Sequence, residues 1–159
     1  MDNLPYVINM FVHIVAVILY AGGLFYTYIL LSKRNKTAPD DGGYAHIDSF
    51  ILREPLLWLY YLIVIIVTGF GFGVISIILH GKPPDIAPIA FMALILMVIF
   101  SFISLVILAF LIGMTKKIRA EKDAQLLSGL RKDEENVVLA LLIIVVFILF
   151  CAVSLRFLA

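Results

Sequence analysis

The sequence predicts an all-α integral membrane protein, folded as a four-helix antiparallel bundle. The chain has 159 residues, of which 64% are hydrophobic, whereas an average soluble domain has about 45–50% apolar residues. The hydrophobic residues fall in four runs, each long enough to cross a hydrocarbon core about 30 Å thick as a helix. Charged residues are absent from the central turns of these runs. This pattern is typical of helices that satisfy their own backbone hydrogen bonds in lipid.

The four runs predict a single transmembrane domain, residues 1–159, because the connections are too short to fold alone. Short connections between long helices favour an up-down-up-down arrangement. The expected spans cover residues 4–32, 55–80, 86–115 and 137–159.

The segment between the third and fourth spans, "KKIRAEKDAQLLSGLRKDEEN", carries most of the charge of the second half of the chain. We expect it to extend the third helix and to break at Ser128–Gly129. This break would place Asp133, Glu134 and Glu135 at the positive amino-terminal end of the fourth helix. Most of the charges of this segment are expected to be solvated.

The distribution of basic residues predicts the orientation. Ten of the twelve lysines and arginines lie in residues 33–54 and 116–136, so the positive-inside rule places these two connections in the cytoplasm. Both termini and the turn "HGKPPD" then face the outer, periplasmic side of a bacterial or archaeal inner membrane. The formal net charge of +1 argues against a nucleic-acid partner.

One histidine, His13, lies inside the first run, "VHIVAVILYAGGLFYTYILL". A titratable side chain within a span is a functional hypothesis by default, although a neutral imidazole hydrogen-bonded to a serine or a carbonyl is the alternative. At about 1.5 Å per residue, counting inward from the outer ends of the other spans brings three further features to the level of His13. They are the glycine-rich stretch Gly71–Gly73, Met92 and Cys151.

This predicted layer suggests a haem site. His13 would be one axial ligand, with Met92 or an open position opposite, since a His/Met pair is a known haem ligand set. Gly71 and Gly73 would let a flat cofactor or a neighbouring helix approach the backbone closely. His80 is a weaker second ligand, because it lies a turn or two nearer the outer surface.

Other kinds of chemistry are not visible in the residues. The chain has no HExxH, GxSxG or phosphate-loop motif and no buried carboxylate pair, which leaves a bound cofactor as the visible route to chemistry. Cys151 is the only cysteine, so the chain has no internal disulfide and no CxxC motif.

Three segments resemble the membrane proteins related to CopD-type copper-resistance proteins and HemJ-type protoporphyrinogen oxidases. "HIVAVILYAGGLFYTYILLSKR" resembles their first helix, "LREPLLWLYYLIVIIVTG" their second span and "NVVLALLIIVVFILF" their last. The resemblance implies a four-helix membrane bundle and, in the HemJ branch, b-type haem, with His13 matching the first-helix histidine. The HemJ branch carries a lysine near the outer part of its third span, where this chain has "IAFMALIL" with Met92.

Two functional hypotheses follow. The first is a haem b-binding membrane redox protein with an electron-transfer or oxidoreductase role. The second is a cofactor-free accessory subunit that stabilises a larger membrane respiratory or oxidoreductase complex through helix contacts. Both expect the lipid bilayer as surroundings and other membrane subunits, or further copies of this chain, as partners.

Overall fold

The computed structural model describes residues 4–36, 55–80, 88–121 and 123–158. They form four helices, all long and apolar enough to cross a membrane. The predicted all-α four-helix membrane fold is therefore confirmed, while the first connection and the turn at residues 81–87 lie outside the described residues. The helices are α1 (Leu4–Lys36), α2 (Pro55–His80), α3 (Pro88–Ala120) and α4 (Ala124–Leu158).

The helices form a ring in which α1 packs on α2 and α4, and α3 packs on the same two helices. The first two helices run in opposite directions, since Tyr6 contacts Phe72 near one end and Gly23 faces Trp58 further along. The end of the bundle that holds the amino terminus of α1 is called the His13 end below. The opposite end is called the Arg34 end.

Buried residues recur along the helices at alternating steps of three and four. This average spacing of 3.5 residues keeps one face of each helix on its neighbours, as in coiled coils. We call each of these rows the inward stripe of its helix. The stripes comprise Tyr20, Leu24, Thr27, Leu31 and Arg34 on α1, Ser104, Leu108, Leu111, Thr115 and Ile118 on α3, and Glu134, Val138, Leu141 and Val145 on α4.

The hydrophobic core is concentrated toward the Arg34 end. It is one cluster that includes Trp58 and Leu62 of α2 and stops near Tyr20 of α1. Toward the His13 end, among residues whose side chains are described, only Ala16, Thr68 and Cys151 are also buried. Among the side chains that the structure describes, the buried ones are therefore concentrated at the Arg34 end.

The turn between α3 and α4 corrects one prediction. The third helix ends at Ala120, and α4 begins at Ala124 and runs without interruption through Ser128 and Gly129, so the expected break there is wrong. Asp123 is the reason, because its Oδ1 accepts hydrogen bonds from the backbone N–H groups of Gln125 (2.8 Å) and Leu126 (3.2 Å), as a favoured N-cap does. Glu134 consequently lies almost three turns inside α4.

Candidate functional site

Polar side chains join α1 to α2 at the His13 end. Asn9 and His13 continue the inward stripe of α1 beyond Ala16, at the same steps of three and four. Asn9 Nδ2 donates to the backbone carbonyl of Thr68 at 2.9 Å, and His13 Nδ1 lies 2.7 Å from Thr68 Oγ1. Thr68 thus receives both side chains, and we refer to Asn9, His13 and Thr68 as the polar cluster.

The hydrogen bonds of Thr68 are linked to the tautomer of His13. The Thr68 hydroxyl donates to the carbonyl oxygen of Val64, 2.6 Å away, and a hydroxyl has only one proton to give. With that proton on the Val64 carbonyl, Thr68 Oγ1 accepts from His13 and Nδ1 carries the hydrogen. In the neutral ring this leaves Nε2 with its lone pair available for another group.

The His13 ring is half-buried against α2. Its centroid lies 5.6 Å from that of Phe72, with the two rings at 74° in an edge-to-face contact. A Cβ at Gly69 would lie 3.6 Å from His13 Cε1, so the missing side chain lets the imidazole lie close to the α2 backbone. Packing on both sides of the hydrogen bond holds the ring orientation.

Gly71 serves the same helix pair in a different way. A Cβ at this position would lie 3.0 Å from Asn9 Oδ1, so the space beside Gly71 is occupied by the Asn9 side chain. Of the two uses expected for this glycine, the structure shows close approach of a neighbouring helix. Gly73 lies in α2, but its surroundings are outside the described residues, as is the side chain of His80, the last residue of the helix.

The structure does not bring Met92 to His13. Met92 is 61% exposed and lies on the outward side of α3. It precedes Ser104 of the inward stripe by twelve residues, which is about three turns and a third, so its side chain is rotated away from the stripe. A count of depth alone ignores this rotation. Cys151, the other residue of the predicted layer, is buried.

Sequence reasoning missed a buried ion pair at the Arg34 end. Arg34 Nη2 lies 2.9 Å from Glu134 Oε2, with the two side chains 0% and 1% exposed, so Glu134 is an exception to the solvated charges expected for most of its segment. The spacing along the inward stripes could have indicated that both residues face inward, since Arg34 follows Leu31 by three residues and Glu134 precedes Val138 by four. Their exposed neighbours pair as well, with Asn35 Nδ2 donating to Glu135 Oε2 at 2.6 Å.

A lateral groove of about 440 Å³ lies beside the contact between Asn9 and Thr68. The rest of its lining is apolar, and the groove opens to the side of the bundle, where lipid would lie. His13 does not line it and packs instead on Gly69 and Phe72. The groove is therefore separate from the imidazole. Its apolar lining residues are Leu4, Pro5, Ile8, Val12 and Ile75.

Among the described residues, no group of three or more His, Cys, Asp or Glu side chains is placed to hold a metal ion. A metal at the His13 end would need a different kind of ligand beside the imidazole, such as a porphyrin or a thioether. No family model, curated protein or solved structure matches this chain.

Proposed function

We propose that this protein is a haem b-binding membrane redox protein in which His13 is an axial ligand of the haem iron. The observation that carries the proposal is the 2.7 Å hydrogen bond between His13 Nδ1 and Thr68 Oγ1. Histidines that bind metals nearly always donate their other ring N–H to a protein acceptor, which fixes the tautomer and orients the ring. When the Thr68 hydroxyl donates to Val64, Thr68 is such an acceptor for His13, and Nε2 would be left for the iron.

The residues at the site fit a haem ligand in their donor chemistry. A neutral imidazole is a common axial ligand, and the hydrogen bond to Thr68 increases its basicity. A bound haem b would supply reversible one-electron transfer. The chain's own part is to hold the imidazole in one tautomer through Thr68 and in one orientation through Phe72.

The fit does not extend to Gly71 as a surface for the macrocycle. Asn9 occupies the space beside this glycine, so a porphyrin would not pack there without displacing Asn9.

A second candidate, the cofactor-free accessory subunit, is favoured by a different observation. The polar cluster joins α1 to α2 through hydrogen bonds of 2.7 and 2.9 Å without any added group. Hydrogen bonds between membrane helices contribute about 0.6 kcal/mol each on average. In this account, His13 serves only to hold the two helices together.

Replacement of His13 by two different residues separates the candidates. His13→Ala removes the imidazole, and His13→Gln keeps a side chain that can hydrogen bond to Thr68 but is a poor iron ligand. If His13 binds iron, both variants lose or shift the Soret band of the purified protein, and added imidazole partly restores the band in the alanine variant.

If the protein is a cofactor-free accessory subunit, the His13→Gln variant keeps the stability of the wild type, and the wild-type protein shows no haem spectrum. A haem-containing wild type whose Soret band is unchanged in both variants would show that another residue binds the iron.

A further inference from the structure

We infer that one internal water molecule lies in a chamber between the four helices, where it is hydrogen-bonded to the carboxylate of Glu134 and the hydroxyl group of Thr27. The chamber lies at the Arg34 end of the bundle, beside the buried ion pair of Arg34 and Glu134. The site is therefore separate from His13, and it does not depend on the proposed haem.

The chamber is bordered by side chains of all four helices, and every residue that lines it is buried. Within it, about 10 Å³ is open to the centre of a water-sized sphere. One water molecule needs about 10–15 Å³ of such space, so the chamber has room for a single water and is too small for a larger ligand. Its lining residues are Leu24 and Thr27 of α1, Pro55 and Trp58 of α2, Leu111 of α3, and Glu134 and Val138 of α4.

The polar groups of the lining decide whether the chamber is hydrated. A cavity lined only by apolar side chains stays dry, whereas a buried water typically makes about two to four hydrogen bonds. Glu134 and Thr27, which are 1% and 5% exposed, supply a carboxylate and a hydroxyl group. A carboxylate can accept about four hydrogen bonds, so the contact of Glu134 with Arg34 is compatible with a bound water. The chamber thus offers the water one partner that accepts and one that can donate or accept.

The buried ion pair explains why a water is favourable at this place. Two charges that are removed from solvent stabilise a protein only when further hydrogen bonds satisfy their remaining polar atoms. Arg34 Nη2 lies 2.9 Å from Glu134 Oε2. The hydrogen bonds of Arg34 to Asn35 Oδ1 and to the Arg131 carbonyl are longer, at 3.4 Å each. A water in the chamber adds a charge-assisted hydrogen bond on the carboxylate side of the pair, and such bonds are roughly twice as strong as those between neutral groups.

Hydroxyl-radical labelling tests the site directly, because X-rays generate the radicals from water in place and a bound water labels the side chains beside it. The purified protein is irradiated in lipid nanodiscs, and the oxidation of each leucine is measured by mass spectrometry. Leu24 and Leu111 line the chamber. Leu31 and Leu108 are buried leucines of the same two helices that do not line it. We expect Leu24 and Leu111 to be oxidised several-fold faster than Leu31 and Leu108. Equal oxidation of all four in the wild type would show that the chamber is dry and would overturn the inference.

Thr27→Val tests the second partner of the water, because it replaces the hydroxyl group by a methyl group. This variant should lose the excess oxidation of Leu24 and Leu111. Thr115→Val is the matched control, since Thr115 is also buried in an inward stripe but does not line the chamber, and its hydroxyl donates to the Ile112 carbonyl of its own helix at 2.9 Å. The control should be labelled as the wild type is. Excess oxidation that persists in Thr27→Val would overturn the assignment of Thr27 as a partner of the water.

Discussion

At the scale of single residues, the inward stripe of α1 carries polar side chains between apolar ones, and three of them bind partners on other helices. Asn9 and His13 meet Thr68, and Arg34 meets Glu134. Unpaired polar groups are costly in lipid, so each pair favours one register of α1 against its neighbours. These contacts set the positions of α2 and α4 relative to α1.

The fit between Asn9 and Gly71 gives a prediction at this scale. Gly71→Ala would place a methyl group 3.0 Å from Asn9 Oδ1 and disturb the bond of Asn9 to Thr68. We expect a lower melting temperature for the purified protein in detergent. Gly113→Ala is the control, because nothing lies within 4 Å of that position and replacing a helical glycine by alanine favours the helix by up to about 1 kcal/mol. A similar rise in both variants would show that Asn9 does not pack on Gly71.

At the scale of helices, composition and run length predict which segments are helical, whereas local features determine where they end. The second helix has the predicted bounds, Pro55–His80. The break before α4 is predicted at the wrong place, because a glycine inside a helix costs only about 1 kcal/mol and a long helix tolerates this cost. A capping aspartate such as Asp123 gives the stronger start signal.

The buried ion pair between α1 and α4 predicts a large effect of a small change. Glu134→Gln removes the negative charge and leaves Arg34 buried next to Arg131, which lies close enough to repel it. Breaking a buried pair typically costs about 3–5 kcal/mol. We expect a correspondingly large loss of stability in unfolding experiments in detergent.

Glu135→Gln is the matched control, one residue away on the exposed side, where a change within about 1 kcal/mol is expected. The double variant Arg34→Met with Glu134→Leu should be more stable than Glu134→Gln, because it leaves no uncompensated charge. Equal stability of Glu134→Gln and Glu135→Gln would contradict the burial of the pair.

At the scale of the whole molecule, the sequence predicts the class of fold but only part of the candidate site. Hydrophobic run length alone specifies a four-helix membrane protein. His13 can be identified from the sequence because it is a polar residue in an apolar run. Its partner Thr68 cannot, because threonine is common in membrane helices. Which side of a helix faces inward depends on how the helix is rotated about its axis. The spacing of three or four residues between Arg34 or Glu134 and the nearest buried apolar residue indicates that both face inward.

The charge distribution predicts the orientation of the whole bundle. In a Cys151→Ala background, Lys36→Cys and Lys122→Cys should resist a membrane-impermeant thiol reagent applied to intact cells, while Lys82→Cys should react. Permeabilised cells provide the control, since all three sites should then react. Labelling of Lys36→Cys in intact cells would reverse the orientation and move the His13 end to the cytoplasmic side.

The central claim is that His13 holds a haem, and the haem content of the wild-type protein tests it most directly. The protein is purified from cells supplied with haem, under conditions that retain partner subunits, and haem b is measured against protein concentration. The account predicts stoichiometric haem b with a Soret band in the wild type. A wild-type preparation without haem b would contradict it and favour the cofactor-free accessory subunit.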